Sequence, residues 1–436
     1  MTKHPRPRSR QRGFILVSMY MVLAVLLILG GALVTQVLAE MRFAQRSQSS
    51  LQAFYLAEAA VDQGTQWLRS QPAPPGGTQA LVLNGGWQTF GAAEGRFMVV
   101  VDPDDNNPTA FIKRYTIQGW GSAGNPAAPV SARQTNMAVQ VESFARYAYA
   151  TNSEISSTGS TVWFITGDRI RGPAHTNGQF SVRGNPIFDG LVSSVSSSVN
   201  LYNPPPAGGN NPVFNGGQQL GAAARPFPTS MPAILVNAAQ AGGNVFTGNT
   251  TVTLLSGGTM RVTNAAQGLN GQVMPLPPNG VLYVQGGNVT LSGTLSGQLT
   301  VASGGDVRIP QSITYANNPR TNPNSQDILG IVAAGNVAVA STAPNDLEID
   351  ASIMALNTSF AVENWSQGPP KGTLTLYGGL IQKNRGPVGT FSSSTGTRLS
   401  GYAKDYYYDA RMANLSPPFF PTTGSYSSTG WEDVGN

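Results

Sequence analysis

The sequence predicts a mainly β protein: one long N-terminal α-helix, a small antiparallel sheet, and then a β-solenoid head of the parallel β-helix type. Charged residues make up only 11% of the 436 residues, whereas Gly occurs 51 times and Pro 31 times, which favours turns and strands. One uncharged apolar run, Phe14 to Val34, lies near the N-terminus. Short alternating runs separated by Gly, Asn and Ser fill most of the chain after residue 147, as in stacked strands.

The net charge of +5 belongs to a basic leader, residues 1–13. Its basic residues are Lys3, Arg6, Arg8, Arg10 and Arg12. The rest of the chain has 21 basic and 21 acidic residues, so its charge does not indicate nucleic-acid binding. A basic leader before an apolar run keeps that end of the chain in the cytoplasm. Because the chain has no cysteine, disulfides, thiolate metal sites and thiol nucleophiles are excluded.

We predict one continuous helix over residues 14–70. The apolar run is long enough to cross the roughly 30 Å hydrocarbon core of a bilayer. No proline occurs between residues 8 and 71, and Gly30-Gly31 is the one expected weak point. After the apolar run, helical spacing continues through Leu51, Phe54, Tyr55, Val61 and Leu68.

Two alternatives for this segment stay open at the level of the residues. A secretory signal peptide could end at Val37-Leu38-Ala39, but its apolar stretch would normally be shorter than this one. A plain single-pass anchor fits the length and composition of the run equally well. The residues on either side of the run favour a third interpretation.

Gly13-Phe14, the apolar run and the phrase Gln52–Ala60 (QAFYLAEAA) resemble the N-terminus of a PilX-type minor pilin, over about residues 8–70. The resemblance implies that a prepilin peptidase cleaves after Gly13 and methylates Phe14. It also implies an inner-membrane helix that binds other pilins. Most pilins carry Glu at the fifth mature position, where this chain has Ser18. That departure implies an initiating, tip or low-copy subunit rather than the filament-building one.

A Pro/Gly-rich linker, residues 71–79, ends the helix, and residues 80–146 form the predicted small pilin-like sheet. Its strands are predicted at Gly95–Val101, Arg114–Trp120 and Arg133–Phe144. Between the first two, residues 102–107 (DPDDNN) place acids at alternating positions as calcium loops do. The Gly and Glu that such a loop needs are missing, so we expect a tight Asx-rich turn.

Residues 147–400 are predicted to form the solenoid head, because a degenerate repeat opens several strand-like runs. Its copies are Gly242–Val245, Gly286–Val289, Gly304–Val307 and Ala334–Val337. Alternating apolar positions, which should point inward, recur in Val289–Leu291, Leu299–Val301, Val337–Val339, Leu347–Ile349 and Leu374–Leu376. A β-sandwich is the competing fold, but it would space its strands more evenly.

This region also resembles a domain of unknown function that often follows PilX-type N-termini. The residues that carry the resemblance are Val162–Asp168, Gly172–Gly178, Gly184–Gly190, Gly401–Tyr406 and Tyr408-Asp409. The resemblance implies a β-rich head on a pilin-type anchor. It implies no activity.

Candidate chemistry is sparse. His175 lies near Asp168, Asn177 and Asp189 and could join them in a catalytic or metal site, but we expect a turn histidine that bonds to the backbone. Asp346, Glu348 and Asp350 alternate along one strand face; they could hold a cation, but we expect that face to be solvated.

An aromatic cluster marks the C-terminal part of the chain, residues 401–436, which we predict to be a cap or tail. Its members are Tyr402, Tyr406, Tyr407, Tyr408, Phe419 and Phe420, with Lys404 and Arg411 nearby. Aromatic and basic residues together could stack on single-stranded DNA or on sugars. We expect them instead to cover the open end of the solenoid, which must hide its last rung.

The predicted function is that of a membrane-anchored minor pilin or pseudopilin, of a type IV pilus or a type II secretion-like system, whose head makes surface contact. We expect other pilins, the prepilin peptidase and the inner membrane as partners, with the head in the periplasm or on an extracellular pilus. The alternatives are an adhesin or DNA-uptake receptor at a tip, with a surface glycan or DNA as ligand, and an enzyme acting on envelope polysaccharide. We expect no enzymatic activity, cofactor or metal.

Overall fold

The computed structural model describes residues 12–71, 74–89, 95–104, 112–125 and 128–435. Within these ranges there are two α-helices, α1 (Arg12–Ser70) and α2 (Ala233–Gly242). The predicted leader falls outside them, apart from the backbone of residues 12 and 13, and so do residues 105–107 of the acidic stretch. Apart from four short 3-10 turns, all other regular secondary structure in these ranges is β-strand.

The strands are numbered in chain order. The first five are β1 (Leu81–Val82), β2 (Gln88–Thr89), β3 (Gly95–Pro103), β4 (Arg114–Asn125) and β5 (Ala128–Ser143). Next come β6 (Tyr149–Ser153), β7 (Phe164–Ile165), β8 (Arg169–Arg171), β9 (Ala174–Thr176), β10 (Ser181–Arg183), β11 (Ile187–Phe188), β12 (Val192–Ser194), β13 (Asn200–Leu201), β14 (Val213–Phe214), β15 (Gln218–Leu220), β16 (Asn244–Thr247), β17 (Thr250–Leu255), β18 (Thr259–Asn264) and β19 (Leu269–Pro275). The last are β20 (Val281–Gln285), β21 (Val289–Leu295), β22 (Gln298–Ser303), β23 (Val307–Ile309), β24 (Ile313–Tyr315), β25 (Ile328–Ala333), β26 (Val337–Val339), β27 (Leu347–Ala355), β28 (Phe360–Val362), β29 (Pro370–Asn384), β30 (Gly389–Phe391), β31 (Arg398–Tyr408) and β32 (Thr422–Gly435).

Helix α1 has 59 residues and a length of about 88 Å at 1.5 Å per residue, and it continues through Gly30-Gly31 without a break. Its C-terminal part lies on an antiparallel sheet of order β1-β3-β4-β5-β32, with β2 beside β3. The three strands predicted for this sheet correspond to β3, β4 and β5, so the prediction of a small antiparallel sheet is confirmed.

The helix approaches the sheet so closely that the contact depends on small residues. A Cβ at Gly121 would lie 1.9 Å from the Ala53 carbonyl oxygen, and one at Gly119 would lie 2.2 Å from that of Ala57. The buried helix face therefore carries alanines, whereas Leu51 and Tyr55 are more than half exposed. Periodicity had predicted Leu51 and Tyr55 as part of the apolar face. Gly119 and Gly121 have no side chains, so the α1 backbone can come into contact with β4. The helix therefore packs on β4 through its neighbouring alanine face.

Parallel pairing dominates the rest of the chain. One ladder contains ten strands in the order β16-β20-β22-β25-β27-β29-β6-β9-β12-β15. A second, alongside it, runs from β17 through β21, β24, β27, β29, β31, β8 and β11 to β14. Their apolar residues form one continuous core cluster, to which the predicted inward positions Val289, Leu299, Val337, Leu347 and Leu374 belong.

The order of strands in the long ladder differs from their order in the chain. The chain enters the ladder in the middle, at β6, and proceeds to one end, at β15. Residues 221–243, which include α2, then lead to the opposite end, where β16 begins the return to the middle. We call the contact of β29 and β31 with β6 and β8 the seam, because residues distant in sequence close the stack there.

Three of the four predicted repeat copies lie in register. Val289 pairs with Val307, Val307 with Val337, and Val337 with Phe360 of the next strand. The copy at Gly242–Val245 does not join them, since Val245 pairs with Tyr283 in the other ladder.

The repeat has a physical basis in a ladder of side-chain oxygens. The Oδ1 atoms of Asn249, Asn288 and Asp306 accept the backbone N–H of Asn288, Asp306 and Asn336 respectively, at 2.7–3.0 Å. A Cβ at Gly335 would lie 2.1 Å from the Asp306 Oδ1. A Cβ at Gly305 would likewise lie 2.3 Å from the Asn288 Oδ1, so these two glycines leave room for the oxygen from the rung beside them.

Residues 401–436, predicted as one cap or tail, divide between two sheets. Strand β31 lies inside the stack between β29 and β8, and β32 returns to the small sheet beside β5. The Trp431 Nε1 donates to Glu58 Oε1 of α1 at 3.0 Å. The chain therefore enters and leaves the stack through two neighbouring strands of the small sheet, β5 and β32.

Candidate functional site

The N-terminal half of α1 carries apolar side chains that no other described residue covers. Every large apolar side chain from Phe14 to Leu38 is between 47% and 81% exposed. By length and composition this is a helix that could cross a membrane. An apolar surface of this size around a whole helix is typical of a segment that lipid or other apolar helices cover.

The predicted processing positions lie at the start of this helix. Phe14 is in the first turn of α1, directly after the backbone of Gly13, and its ring is exposed. The Ser18 hydroxyl donates to the backbone carbonyls of Phe14 and Ile15, each at 3.0 Å. Ser18 is therefore satisfied by its own helix, which an apolar environment requires of a hydroxyl.

A buried ion pair, Arg385 with Glu154, joins the two halves of the stack at the seam. Arg385 Nη1 lies 2.8 Å from Glu154 Oε2, and both side chains are at most 3% exposed. The Tyr149 hydroxyl donates to the other carboxylate oxygen of Glu154 at 3.0 Å, and Thr151 donates to it as well. The Arg385 guanidinium lies over the Phe164 ring at 3.6 Å. Residues from both halves of the stack thus converge on a single charge pair.

A second buried cluster at the seam contains two cations and one carboxylate. Lys404 Nζ donates to Asp168 Oδ2 at 2.7 Å, and Arg398 Nη2 lies 3.7 Å from Asp168 Oδ1. Burial lowers the pKa of Lys404 to about 8, against the opposing effect of Asp168. Since one carboxylate faces two cations, the local charge of these three groups is positive while Lys404 is protonated.

Beside this cluster lies a cavity of about 410 Å³, which we call the aromatic cavity. Its walls include Trp163, Trp365, Phe391, Arg398 and Lys404. The turn at 156–161 and the β30–β31 hairpin form its rim. The cavity therefore combines aromatic surface with the two cations of the seam.

His175 lies in strand β9 and is buried, rather than in a turn. Its Nδ1 is 2.9 Å from Ser193 Oγ and its Nε2 is 3.0 Å from Asn177 Oδ1, so it bonds to side chains and not to the backbone. Burial lowers the pKa of the imidazole. Asn177 also bonds to the backbone N–H and carbonyl of Arg225 on the 221–243 connection. The network fixes that connection to the stack.

The two carboxylates that lie near His175 in sequence have separate partners. Asp168 faces Lys404 at the seam, and Asp189 accepts two hydrogen bonds from Arg169. In the part of the chain that the structure describes, no group of three or more His, Cys, Asp or Glu residues is arranged to hold a metal ion.

Asp346, Glu348 and Asp350 do not form the solvated strand face that the sequence predicts. Asp350 is 1% exposed, accepts the Tyr315 N–H at 3.1 Å and lies 3.2 Å from Arg320 Nη2, which also contacts Glu348. Asp346 instead accepts the Thr373 N–H. The sequence could not predict this burial, because the loop that carries Arg320 folds over the strand from a different rung.

Burial raises the pKa of Asp350 to about 6, although the Tyr315 N–H and Arg320 oppose the shift. A raised pKa in the folded state means that the folded protein favours protonated Asp350. The free energy of unfolding therefore falls as the pH rises from about 4 through about 6 and the carboxyl ionises. We expect Asp350→Asn to gain about 2 kcal/mol in free energy of unfolding over the wild type between pH 4 and pH 7, because it cannot ionise. Denaturant unfolding at both pH values measures this. Glu348→Gln, at the exposed side of the same arginine, is the control; an equal pH-dependent gain in both variants would contradict the prediction.

The C-terminal aromatic residues do not cover an open end of the stack. Tyr402 and Tyr406 are buried in the main core, and Phe420 belongs to a second buried cluster beneath α2 and the 221–243 connection. Strand β31 is internal because β8 pairs on its far side. A cap was expected because an open solenoid must hide its last rung, but the stack continues beyond β31 with strands from residues 149–220.

Sequence reasoning missed Glu154 and Arg385 of the seam and Trp365 of the aromatic cavity. Glu154, Arg385 and Trp365 stand singly among small or polar residues, and no spacing marks them. Near the aromatic cavity, Arg183 at the end of the otherwise uncharged strand β10 is one indication, because an unpaired charge is rarely buried without a role. Their convergence depends on which strand pairs across the seam.

Comparison with known proteins gives one family match. A family described as "Domain of unknown function (DUF4900)" matches residues 110–197, which run from before β4 to just after β12. This segment includes Glu154, Asp168 and His175, and the match carries no description of activity.

Among solved structures, the chain is similar to the crystal structure of the competence-associated pilin ComZ from Thermus thermophilus. The TM-score is 0.35 and the identity 12%, over 88% of this chain and 98% of that one. The comparison with curated proteins gave no match.

Proposed function

We propose that the chain is a minor pilin or pseudopilin of a type IV pilus or a type II secretion-like system, anchored by α1 in the inner membrane. The observation that carries this proposal is the division of α1. Its N-terminal half is apolar and exposed on all sides, whereas Ala53, Ala57 and Leu68 are buried against the antiparallel sheet. Such a helix suits a subunit that lies first in lipid and then among the apolar helices of other pilins.

Ser18 supports a minor role. Its hydroxyl is engaged with the carbonyls of its own helix, and no carboxylate stands at this position to pair with the amine of a neighbouring subunit. A low-copy, initiating or tip subunit does not depend on that pairing. Partners would then be other pilins along α1 and the prepilin peptidase at Gly13-Phe14.

Processing at Gly13 is the direct test. We expect the protein purified from cells that contain prepilin peptidase to begin at methylated Phe14, and Gly13→Leu to keep the full leader because the bulkier side chain blocks the cleavage position. Intact-mass measurement with N-terminal sequencing distinguishes these products.

The matched control is Gly31→Leu, which changes a glycine of the same apolar segment that has no atom near its Cβ position. This variant should be processed like the wild type. A mature wild-type protein that begins at Met1, or at Glu40 after Val37-Leu38-Ala39, would overturn the proposal.

We further infer that the parallel ladders form a β-solenoid head that makes contact outside the cytoplasm and does no enzymatic work. Parallel pairing over ten successive strands with one shared core supports the solenoid. The use of His175 and Asp350 in buried structural networks supports the contact role. A glycan is the favoured ligand class over DNA, because the formally neutral body lacks the charge that phosphate backbones attract.

A further inference from the structure

The aromatic cavity has a rigid aromatic side. The Trp163 ring meets Tyr202 edge-to-face at 4.9 Å. The Arg183 guanidinium, almost fully buried, lies 5.2 Å from both the Tyr202 and the Phe391 rings. It therefore holds two walls of the cavity in place at once. Room for it is kept by Gly396, whose Cβ would lie 2.2 Å from Arg183 Nη1.

Trp365 forms another part of this side and is anchored through its backbone. The Ser400 hydroxyl donates to the Trp365 carbonyl at 2.6 Å and contacts Thr390 across the β30–β31 hairpin. The Trp365 side chain remains 39% exposed. An exposed indole on a fixed backbone offers a flat apolar face to a ligand at little cost in conformational entropy.

Another part of the cavity lining, formed by Arg398 and Lys404, is cationic and only partly neutralised. Arg398 donates to the Tyr402 carbonyl and is 3.7 Å from Asp168, which is beyond hydrogen-bond distance. Asp168 Oδ1 is buried and, among the described residues, has no hydrogen-bond partner. Lys404 takes the other oxygen of the same carboxylate. Two cations with one carboxylate between them leave an excess positive charge at the cavity wall, which an anion would balance.

Hydroxyl groups complete the cavity. Ser156, Ser157, Thr158 and Ser160 line its rim on one tight turn. The Ser156 hydroxyl accepts the Ser160 N–H at 2.9 Å, which holds the turn closed. Such groups donate and accept hydrogen bonds, as sugar hydroxyls require of their partners. A volume of about 410 Å³ lies within the range of small-molecule sites.

We propose that the aromatic cavity binds a carboxylated sugar, such as a hexuronic acid residue at the end of an acidic glycan. Arg398 and Lys404 bind the carboxylate, Trp365 and Trp163 cover the apolar face of the ring, and the serine-rich turn bonds to its hydroxyls. A carboxylated sugar matches all three walls, because it combines an anionic group, a flat apolar face and several hydroxyls. The site does not depend on whether α1 is processed or enters a filament.

The test uses the full chain in detergent, with tryptophan fluorescence and calorimetry as readouts. The probes are a methyl galacturonide, the matching neutral methyl galactoside and a deoxydinucleotide. We expect the uronide to bind at least 10-fold more tightly than the neutral sugar and to quench the fluorescence. Equal binding of both sugars, no binding, or tighter binding of the dinucleotide would overturn the proposal.

Two variants test whether the ligand binds in the aromatic cavity. Arg398→Gln should weaken uronide binding at least 10-fold and leave the weak binding of the neutral sugar unchanged, whereas Trp365→Ala should weaken both. The controls are Arg308→Gln, a paired arginine elsewhere on the stack, and Trp431→Ala on the small sheet, and neither should change binding. Thermal unfolding verifies that each variant is folded. Since Trp365 is 39% exposed, its replacement should leave the fold intact, and it tests the site even if Arg398→Gln does not fold. Unchanged uronide binding in either folded variant would overturn the proposal.

Discussion

Gly121→Ala is expected to lower the free energy of unfolding of the helix–sheet unit by about 3 kcal/mol, the upper part of the range for overpacked contacts. The new Cβ would lie 1.9 Å from the Ala53 carbonyl oxygen and 2.6 Å from the Ala57 nitrogen. Both neighbours are helix backbone, so no side-chain rotation relieves the overlap. Either α1 moves away from β4 or the strand bends, and both open the core that contains Val61, Val99 and Ile117.

The control for this prediction is Gly430→Ala in the same sheet. A Cβ there meets one atom, the Ala138 Cβ, at an ordinary 3.8 Å. Neither glycine has a positive φ, so the two variants differ in the contact with α1 and not in backbone preference. Thermal unfolding by circular dichroism, with limited proteolysis of α1 after residue 40, measures the effect. If both variants unfold at the same temperature, close backbone contact does not hold the helix.

Glu154→Ala is expected to cost 3–5 kcal/mol, roughly the penalty for leaving one partner of a buried ion pair uncompensated. Arg385 would stay buried at the seam without its carboxylate, and Tyr149 and Thr151 would lose their acceptor. Because the pair joins the ends of β6 and β29, its loss should destabilise the seam, the contact that closes the stack. Denaturant unfolding of the full chain in detergent measures it.

Glu363→Ala is the matched control, since Glu363 pairs with Arg308 on the surface of the same stack. The two side chains of that pair are 33% and 41% exposed, so its loss should cost about 1 kcal/mol or less. Replacing Glu154 and Arg385 together by methionine should recover most of the lost stability, because no unpaired charge remains. A cost for Glu154→Ala no larger than that for Glu363→Ala would show that the seam does not depend on this pair.

The local patterns in the sequence predicted the local structure well. The proline-free stretch predicted α1, which extends over residues 12–70, and alternation predicted β3, β4 and β5. The repeat phrases at Gly286, Gly304 and Ala334 predicted three strands that do lie in register. These features are set by neighbours a few residues apart, or by a motif that recurs.

The candidate site was predicted poorly, for a reason that Asp350 and Lys404 illustrate. Asp350 was expected in solvent and Lys404 beside an aromatic cluster covering the open end of the solenoid, yet both are buried in charge clusters. Arg320 reaches Asp350 from a loop, and Asp168 reaches Lys404 from the other half of the stack. Such burial depends on partners that are tens to hundreds of residues away.

By itself, the sequence determined that α1 is one continuous helix with an apolar N-terminal half and a basic leader before it. It also determined that the remaining regular structure is mainly β, and which apolar side chains face inward in several of the strands. Only the tertiary structure decided that β6 pairs beyond β29, that β32 returns to the small sheet, and that Trp163, Trp365, Arg398 and Lys404 share one cavity. The physical reason is that parallel strands accept any neighbour with a matching apolar alternation. The pattern therefore directs each side chain inward or outward, but the order of the rungs is chosen by the packing and charge pairing of the complete stack.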